Sequence, residues 1–348
     1  VGPTVDILEF LRLATALPVL DVRAPCEFQQ AHIAQAVNLP LFDDKQRAAI
    51  GTTYKQQGHD AAVMLGFELA GPKMATLAQR GRELALDRQI LLHCARGGMR
   101  SESMAWLLQQ AGLQVTRLRG GYKSFRQHVL KSFEQPIELR ILSGLTGAGK
   151  TQLLAEIRRQ GEQVIDLEGL AHHRGSAFGG IGQPDQPASE HFENLLFQEL
   201  QQLDPGRPVW LEDESRNVGR VFLPEAIWLQ MRNAPVFFLD VTVQRRAQHI
   251  RQLYGDYATV ELIEGVERVR KRLGGLRAAQ AIAALENGRM DRAIEILLDY
   301  YDKSYLNAAA SREAVKSTKI PVADEEAEST IVQRLIETAN QSCALSRS

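Results

Sequence analysis

The chain is poor in cysteine: three in 348 residues, Cys26, Cys94 and Cys343, all far apart. That excludes a disulfide framework and a site built on several thiolates. No run approaches the roughly 18 uncharged apolar residues that a spanning helix needs, so no membrane segment or membrane partner is expected. The first residues, VGPTVDILEF, lack the basic and apolar regions of a signal peptide, and the cytoplasm is the expected compartment. Net charge is also nearly absent, at −1, so nucleic-acid binding would need a local basic patch rather than a bulk field. There is no internal repeat and no low-complexity tail.

What is present fits two globular domains. Apolar residues make up 44% and charged residues 24%. Residues 18–24 (PVLDVRA) and 88–93 (RQILLH) read as buried strands before turn-like segments. Met104, Leu107, Leu108 and Ala111 recur at helical spacing until Gly112. VTRLRGGYKSF reads as a strand running into a Gly-Gly turn. Strands alternating with helices predict a parallel α/β sheet. The segment from Gln46 to Leu77 reads as an elaborated connection carrying helix, of open role. The pattern resets near residue 135, so residues 1–134 and 135–348 are the expected domains. In the second, QVIDLE (163–168), PVWLED (208–213) and PVFFLDV (235–241) are further strand candidates. From about Val260 onward the chain reads as nearly all helix.

The sharpest feature is HCARGGMRS, His93 to Ser101, between a strand and a helix. Such a loop can curl around an anion, with backbone N–H groups pointing inward and the helix N-terminus adding positive field. Gly97 and Gly98 allow the close turn. Arg96 and Arg100 can add charge-assisted hydrogen bonds, and the field favours a nucleophilic Cys94 thiolate. Cys26 and Cys343 read as incidental. The loop suits two chemistries: the cysteine phosphatases, and the rhodanese-like domains that carry sulfur or selenium. LDVRAPCEFQQAHIAQAVNLP, Leu20 to Pro40, resembles the rhodanese signature, and so does LRGGYKSF. Some cysteine phosphatases share that fold. A phosphatase, or a rhodanese-type sulfurtransferase, coupled to a nucleotide-binding domain is therefore the alternative.

GLTGAGKT, Gly144 to Thr151, fits G-x-x-x-x-G-K-[ST], with strand ILS before it and helix QLLAEIRR after it. Gly144, Gly147 and Gly149 let N–H groups cradle phosphate, Lys150 reaches the terminal phosphates, and Thr151 can hold Mg²⁺. Glu212 and Asp213 are the best further magnesium ligands, with Asp240 second. Asp166 and Glu168 can face the same crevice. DLEGLAHHRGSAFGG (166–180) reads as a phosphate or substrate clamp, with Arg174 the expected contact, or else as a surface loop. Between Gln244 and Arg277, eight basic residues stand against four acidic ones. That stretch suits an RNA backbone or a solvated helix face equally.

An anion loop with a reactive cysteine, followed by a P-loop domain, resembles the tRNA 2-selenouridine synthases over almost the whole chain. The resemblance rests on CARGGMRS, IGTTYKQQG with GPKM, GLTGAGKT, DLEGLAHHRGSAFG and EDESRNVG. It implies a rhodanese-like parallel-sheet domain, then a P-loop NTPase-like domain with a helical C-terminal part. It implies selenium transfer from selenophosphate to 2-thiouridine at the tRNA wobble position. It also implies geranylation of that sulfur from geranyl diphosphate, the S-geranyl nucleoside being what selenium displaces. The family's essential cysteine matches Cys94, and its P-loop residues match Gly144, Gly147, Gly149 and Lys150. No tightly bound cofactor is expected, with Mg²⁺ open. The partners implied are thiolated tRNA and an enzyme that supplies selenophosphate. Whether Cys94 carries selenium or only positions it, and whether the P-loop takes geranyl diphosphate or a nucleotide, stays open.

Overall fold

The computed structural model describes residues 2–309 and 317–347, and the Cys343 side chain lies outside what is described. Among these residues no helix is long and apolar enough to cross a membrane. The chain divides into two compact units, one of Val1–Ser132 with Glu193–Gln198, the other of Phe133–Phe192 with Glu199–Ser348.

In the first unit the chain runs β1 (Thr4–Val5), α1 (Ile7–Ala14), β2 (Val19–Asp21), α2 (Pro25–Gln30), β3 (Val37–Asn38), α3 (Asp44–Gln57) and α4 (His59–Ala70). It continues through α5 (Met74–Leu84), β4 (Gln89–His93), α6 (Met99–Gln110), β5 (Gln114–Leu118) and α7 (Gly121–Ser132). Five parallel strands lie in the order β1-β5-β4-β2-β3. Val19 and Leu20 of β2, and Ile90, Leu91 and Leu92 of β4, are all buried. That explains their uninterrupted apolar sequence, since a parallel sheet is covered on both faces. The connection from Gln46 to Leu77 is mostly helix. Asp43 and Gln46 start α3 with reciprocal side-chain to backbone bonds of 2.8 and 3.2 Å.

The second unit begins with β6 (Leu139–Gly144), α8 (Lys150–Arg159), β7 (Gln163–Val164) and α9 (Leu167–Leu170). Helix α10 (Ser189–Gln201) follows, with its residues 193–198 assigned to the first unit. Then come β8 (Val209–Glu212), β9 (Asn217–Val218), β10 (Val221–Phe222), α11 (Glu225–Asn233), β11 (Val236–Val241) and α12 (Val243–Tyr254). Helices α13 (Thr259–Leu273), α14 (Gly275–Glu286) and α15 (Met290–Ala309), strand β12 (Ser317–Val322) and helix α16 (Glu328–Arg347) complete it. Its five-stranded parallel sheet has the order β12-β11-β6-β8-β7. Leu142, Trp210, Phe237 and Leu335 share its core, and α12 to α15 pack a second one around Tyr254, Val266, Ala278 and Ala293.

One expected strand is shorter than its sequence suggests. QVIDLE does not run on as strand to Glu168. The Asp166 carboxylate accepts from the Gly169 N–H at 2.7 Å and caps α9, which diverts the backbone from the ladder. The C-terminal part is nearly all helix, as expected, apart from β12, which pairs with β11 from Ser317 to Val322. Pro321 is tolerated because β12 is an edge strand.

Candidate active site

Strand β4 delivers Cys94 to the carboxyl end of the first sheet, and α6 begins five residues later. Cys94 is buried, with Sγ 3.3 Å from the Ser101 hydroxyl. Ser101 in turn donates to the Gly98 carbonyl at 2.8 Å. The Cys94 thiol thus donates to Ser101 Oγ, and the Ser101 proton would have to turn away from the Gly98 carbonyl to serve a thiolate. Behind the loop runs Gly120-Gly121: the Tyr122 and Lys123 N–H groups donate to the Cys94 and Ala95 carbonyls at 2.8 and 2.9 Å. Gly121 has φ +60°, and a Cβ there would lie 2.3 Å from the Cys94 carbonyl oxygen. The LRGGY segment is therefore the backing of the cysteine loop, which requires a residue without a side chain at that point.

The two loop arginines differ. Arg96 is exposed. Arg100 donates to the Glu27 carboxylate at 2.7 Å. Beneath the loop, Arg23 and Asp21 form a buried bidentate pair, and the Arg23 guanidinium lies 3.8 Å from the Tyr122 ring centroid. Burial alone would raise the Asp21 carboxyl, but the bidentate bonds and charge of Arg23 hold it below its usual range. His93 is fully buried, and burial pushes its pKa down despite Asp21, so it is neutral. This neutral, packed His93 belongs to the support of the loop.

The second loop follows β6. Gly147 and Gly149 have φ +82° and +79°. A Cβ on Gly147 would lie 2.9 Å from the Arg246 carbonyl oxygen and 2.9 Å from Ile250. Arg246 is fully buried. It pairs with Asp302 at 2.7 and 2.8 Å and donates to the Thr146 carbonyl at 3.1 Å, tying the loop to α12 and α15. Lys150 Nζ donates to the Gly144 carbonyl at 3.3 Å. The Thr151 hydroxyl donates to Glu168 at 3.1 Å.

The acidic residues are sorted by the end of β8. Glu212 does not reach the cavity, contrary to expectation. It is buried, accepts from the Glu168 N–H at 2.6 Å, and burial with Asp166 and Glu168 nearby pushes its pKa up to about 8. Asp213 lines the cavity and accepts from Ser143 at 2.7 Å. Glu214, which sequence reasoning did not single out, lines it too, beside Glu168. Desolvation first, then the Glu168 charge, push the Glu214 carboxyl well above its usual range, while Lys150 pulls it down. No three His, Cys, Asp or Glu side chains among the described residues converge as a metal site. Mg²⁺ at phosphate sites needs only one or two protein ligands, and Thr151 with Glu168 forms a fitting pair.

A cavity of about 310 Å³ opens from these polar groups. Its lining joins the P-loop, with Lys150, Thr151, Glu168 and Arg174, to an apolar set of Ile250, Leu253, Leu262, Ile294, Leu297 and Tyr254, brought together from α12, α13 and α15. Arg174 stands over Tyr254, 5.8 Å from the ring centroid. Its segment is a self-bonded loop, with the Arg174 N–H on the Gly179 carbonyl at 3.0 Å and Phe178 buried. The basic stretch from Gln244 to Arg277 is largely committed to internal partners. Arg246, Arg251, Arg270 and Arg277 pair with Asp302, Asp291, Glu267 and Asp299, and Arg245 donates to backbone carbonyls of 323–326. That pairing favours the structural reading of the stretch over an open patch for RNA.

A thiol in a glycine-rich loop on a rhodanese-like sheet, joined in one chain to a P-loop domain, is the framework of a group-transfer enzyme. Residues 7–128 match the rhodanese-like domain, and residues 137–338 match the tRNA 2-selenouridine synthase AAA domain. A tRNA 2-selenouridine synthase of Nitrosomonas eutropha is 36% identical over 342 residues, covering 96% of this chain and 86% of that one. One from Hahella chejuensis is 38% identical over 341 residues, covering 87% and 89%. Among solved structures, the N-terminal domain of an ATP/GTP binding protein from Clostridium difficile 630 is 38% identical. It covers 36% of this chain and 98% of that one, with a TM-score of 0.34. The chain belongs to the tRNA 2-selenouridine synthase family, and is a transferase.

Proposed function

We propose that the two loops divide the family's reaction into two steps, with geranyl diphosphate at the P-loop and selenophosphate at Cys94. The observation that carries the first assignment is the cavity itself. A phosphate cradle that continues into a wall of Ile250, Leu253, Leu262 and Leu297 suits a diphosphate with a hydrocarbon tail. The sulfur of 2-thiouridine attacks C1 of geranyl diphosphate. The C1–O bond breaks, and pyrophosphate leaves with the electron pair, stabilised by Lys150 and the loop N–H groups. In this reading Arg174, which lines the same cavity, adds a second cation. Mg²⁺, when bound at Thr151 and Glu168, would neutralise the same diphosphate.

The product thioether is a better leaving group than the original thiocarbonyl sulfur. Selenophosphate, held by the N–H groups around Gly97 and Gly98 and by Arg96 and Arg100, presents selenium to C2 of the base. Selenium adds, the C2–S bond breaks, and geranyl thiolate leaves and takes up a proton. A C2–Se–P linkage remains. The Cys94 thiolate then attacks phosphorus, selenium keeps the Se–P electron pair as 2-selenouridine, and water releases phosphate from cysteine. Every step is redox-neutral. Selenium carried on Cys94 as a perselenide would instead leave an S–Se bond that needs a reductant. Selenolate is a good leaving group, so no general acid is required.

Calorimetric titration tests the first assignment. Geranyl diphosphate is expected to bind, and Lys150→Ala to weaken it on the order of 100-fold, the loss of a charge-assisted phosphate contact. Tighter binding of ATP than of geranyl diphosphate would overturn the assignment.

A further inference from the structure

The connection from Gln46 to Leu77, whose role the motifs leave open, builds one wall of a second apolar groove. It lies wholly in the first unit and has a volume of about 530 Å³. Phe42 forms part of its floor at 8% exposure. Four large side chains on it are half-exposed: Tyr54 (58%), Phe67 (62%), Met99 (48%) and Trp106 (49%). Such a cluster of exposed apolar surface marks a binding site rather than scattered chance exposure. The groove reaches the residues that follow the proposed selenium site in the chain. Met99 and Arg100, which line it, are the first residues of α6, directly after the Cys94 loop. From Met99 to Leu107 it follows α6 for about 12 Å, at 1.5 Å per residue. That accommodates the main chain of one extended geranyl group. The Arg100 and Glu102 charges at its edge are paired, with Glu27 at 2.7 Å and Arg117 at 3.3 Å, which suits an uncharged tail.

We propose that this groove holds the prenyl tail of S-geranyl-2-thiouridine while C2 of the base lies at the Cys94 loop. The inference rests on the reading above, in which an S-geranyl nucleoside is the substrate for selenation. It gives the geranyl group a second purpose. The tail that makes sulfur leave also supplies apolar binding energy that places C2 at selenium, and it leaves the groove as geranyl thiol.

The test compares selenation of two anticodon stem-loop RNAs, one carrying S-geranyl-2-thiouridine and one carrying S-methyl-2-thiouridine. The full-length enzyme is expected to favour the geranyl RNA in KM by about tenfold or more, as buried apolar groups allow. Phe67→Ser with Trp106→Ser, both at exposed positions, should remove that preference. It should leave kcat on the S-methyl RNA and geranylation of 2-thiouridine RNA unchanged. Phe67→Leu should retain the preference. Several results would overturn the inference while leaving the two-step reading intact: no preference in the wild type, a preference that survives the double substitution, or an equal loss on both RNAs. A wild-type dimer that the substitutions dissociate would place a second copy in the groove and overturn it as well. Failure of the wild type to convert S-geranyl RNA at all would sink the two-step reading itself.

Discussion

The Arg100 guanidinium donates to the Glu27 carboxylate at 2.7 Å, joining the end of the anion loop to the first turn of α2. The same carboxylate accepts from the Ala24 N–H at 3.2 Å. Burial alone would raise the Glu27 carboxyl, but the hydrogen bond and charge of Arg100 hold it below its usual range. A depressed carboxylate pKa contributes stability above the unfolded value, and that stability is lost as pH falls through the folded value. Glu27→Gln is therefore expected to lose about 2 kcal/mol near neutrality, the scale of a charge-assisted hydrogen bond. Urea melts at a series of pH values check this. The gap to wild type should close as the pH falls below the ordinary glutamate range.

Gly121 tests the backing of the cysteine loop. An added Cβ would lie 2.3 Å from the Cys94 carbonyl oxygen and 2.5 Å from the Gly97 nitrogen. Gly121→Ala must push the loop away, and a displacement of about 1 Å at a reacting group can slow a step about 100-fold. Single-turnover assays should show selenation reduced on that scale and geranylation retained.

Glu212 gives a pH signature of the other unit. Its pKa is raised from 4.5 to about 8 by burial. The folded protein holds this proton longer than the unfolded chain does, so its contribution to stability declines as pH rises across that window. Glu212→Gln imitates the protonated acid and keeps an oxygen for the Glu168 N–H. Thermal melts from about pH 5 to pH 9 should fall less steeply for the variant, the window being set by the linkage. Identical slopes would show that Glu212 does not titrate there.

Both anion loops were legible in the sequence because each is contiguous. The glycines, the cysteine or lysine, and the following helix all lie within nine residues. Strands such as PVLDV and QILLH were legible for a related reason: a covered parallel sheet demands unbroken apolar runs. β12 was not, since a six-residue edge strand with Lys319 and Pro321 carries no such pattern. The acidic cluster was misjudged at Glu212. EDE offers three carboxylates in a row, and only the orientation at the end of β8 decides that Glu212 turns inward while Asp213 and Glu214 line the cavity. The apolar end of that cavity was hidden for another reason. Ile250, Leu262 and Leu297 lie on three different helices and read separately as ordinary core.

The division of labour between Cys94 and Lys150 is the central claim, and nucleoside analysis of RNA products tests it most directly. 2-Thiouridine RNA and pre-geranylated RNA would each be incubated with wild type, Cys94→Ala and Lys150→Ala, with each donor omitted in turn. Cys94→Ala is expected to accumulate the S-geranyl nucleoside and to lose selenation by on the order of 1000-fold or more, as removal of a nucleophile does. Lys150→Ala should fail on 2-thiouridine RNA yet still convert the pre-geranylated RNA to 2-selenouridine. Loss of both reactions in either variant, with the fold intact, would contradict two sites acting in sequence.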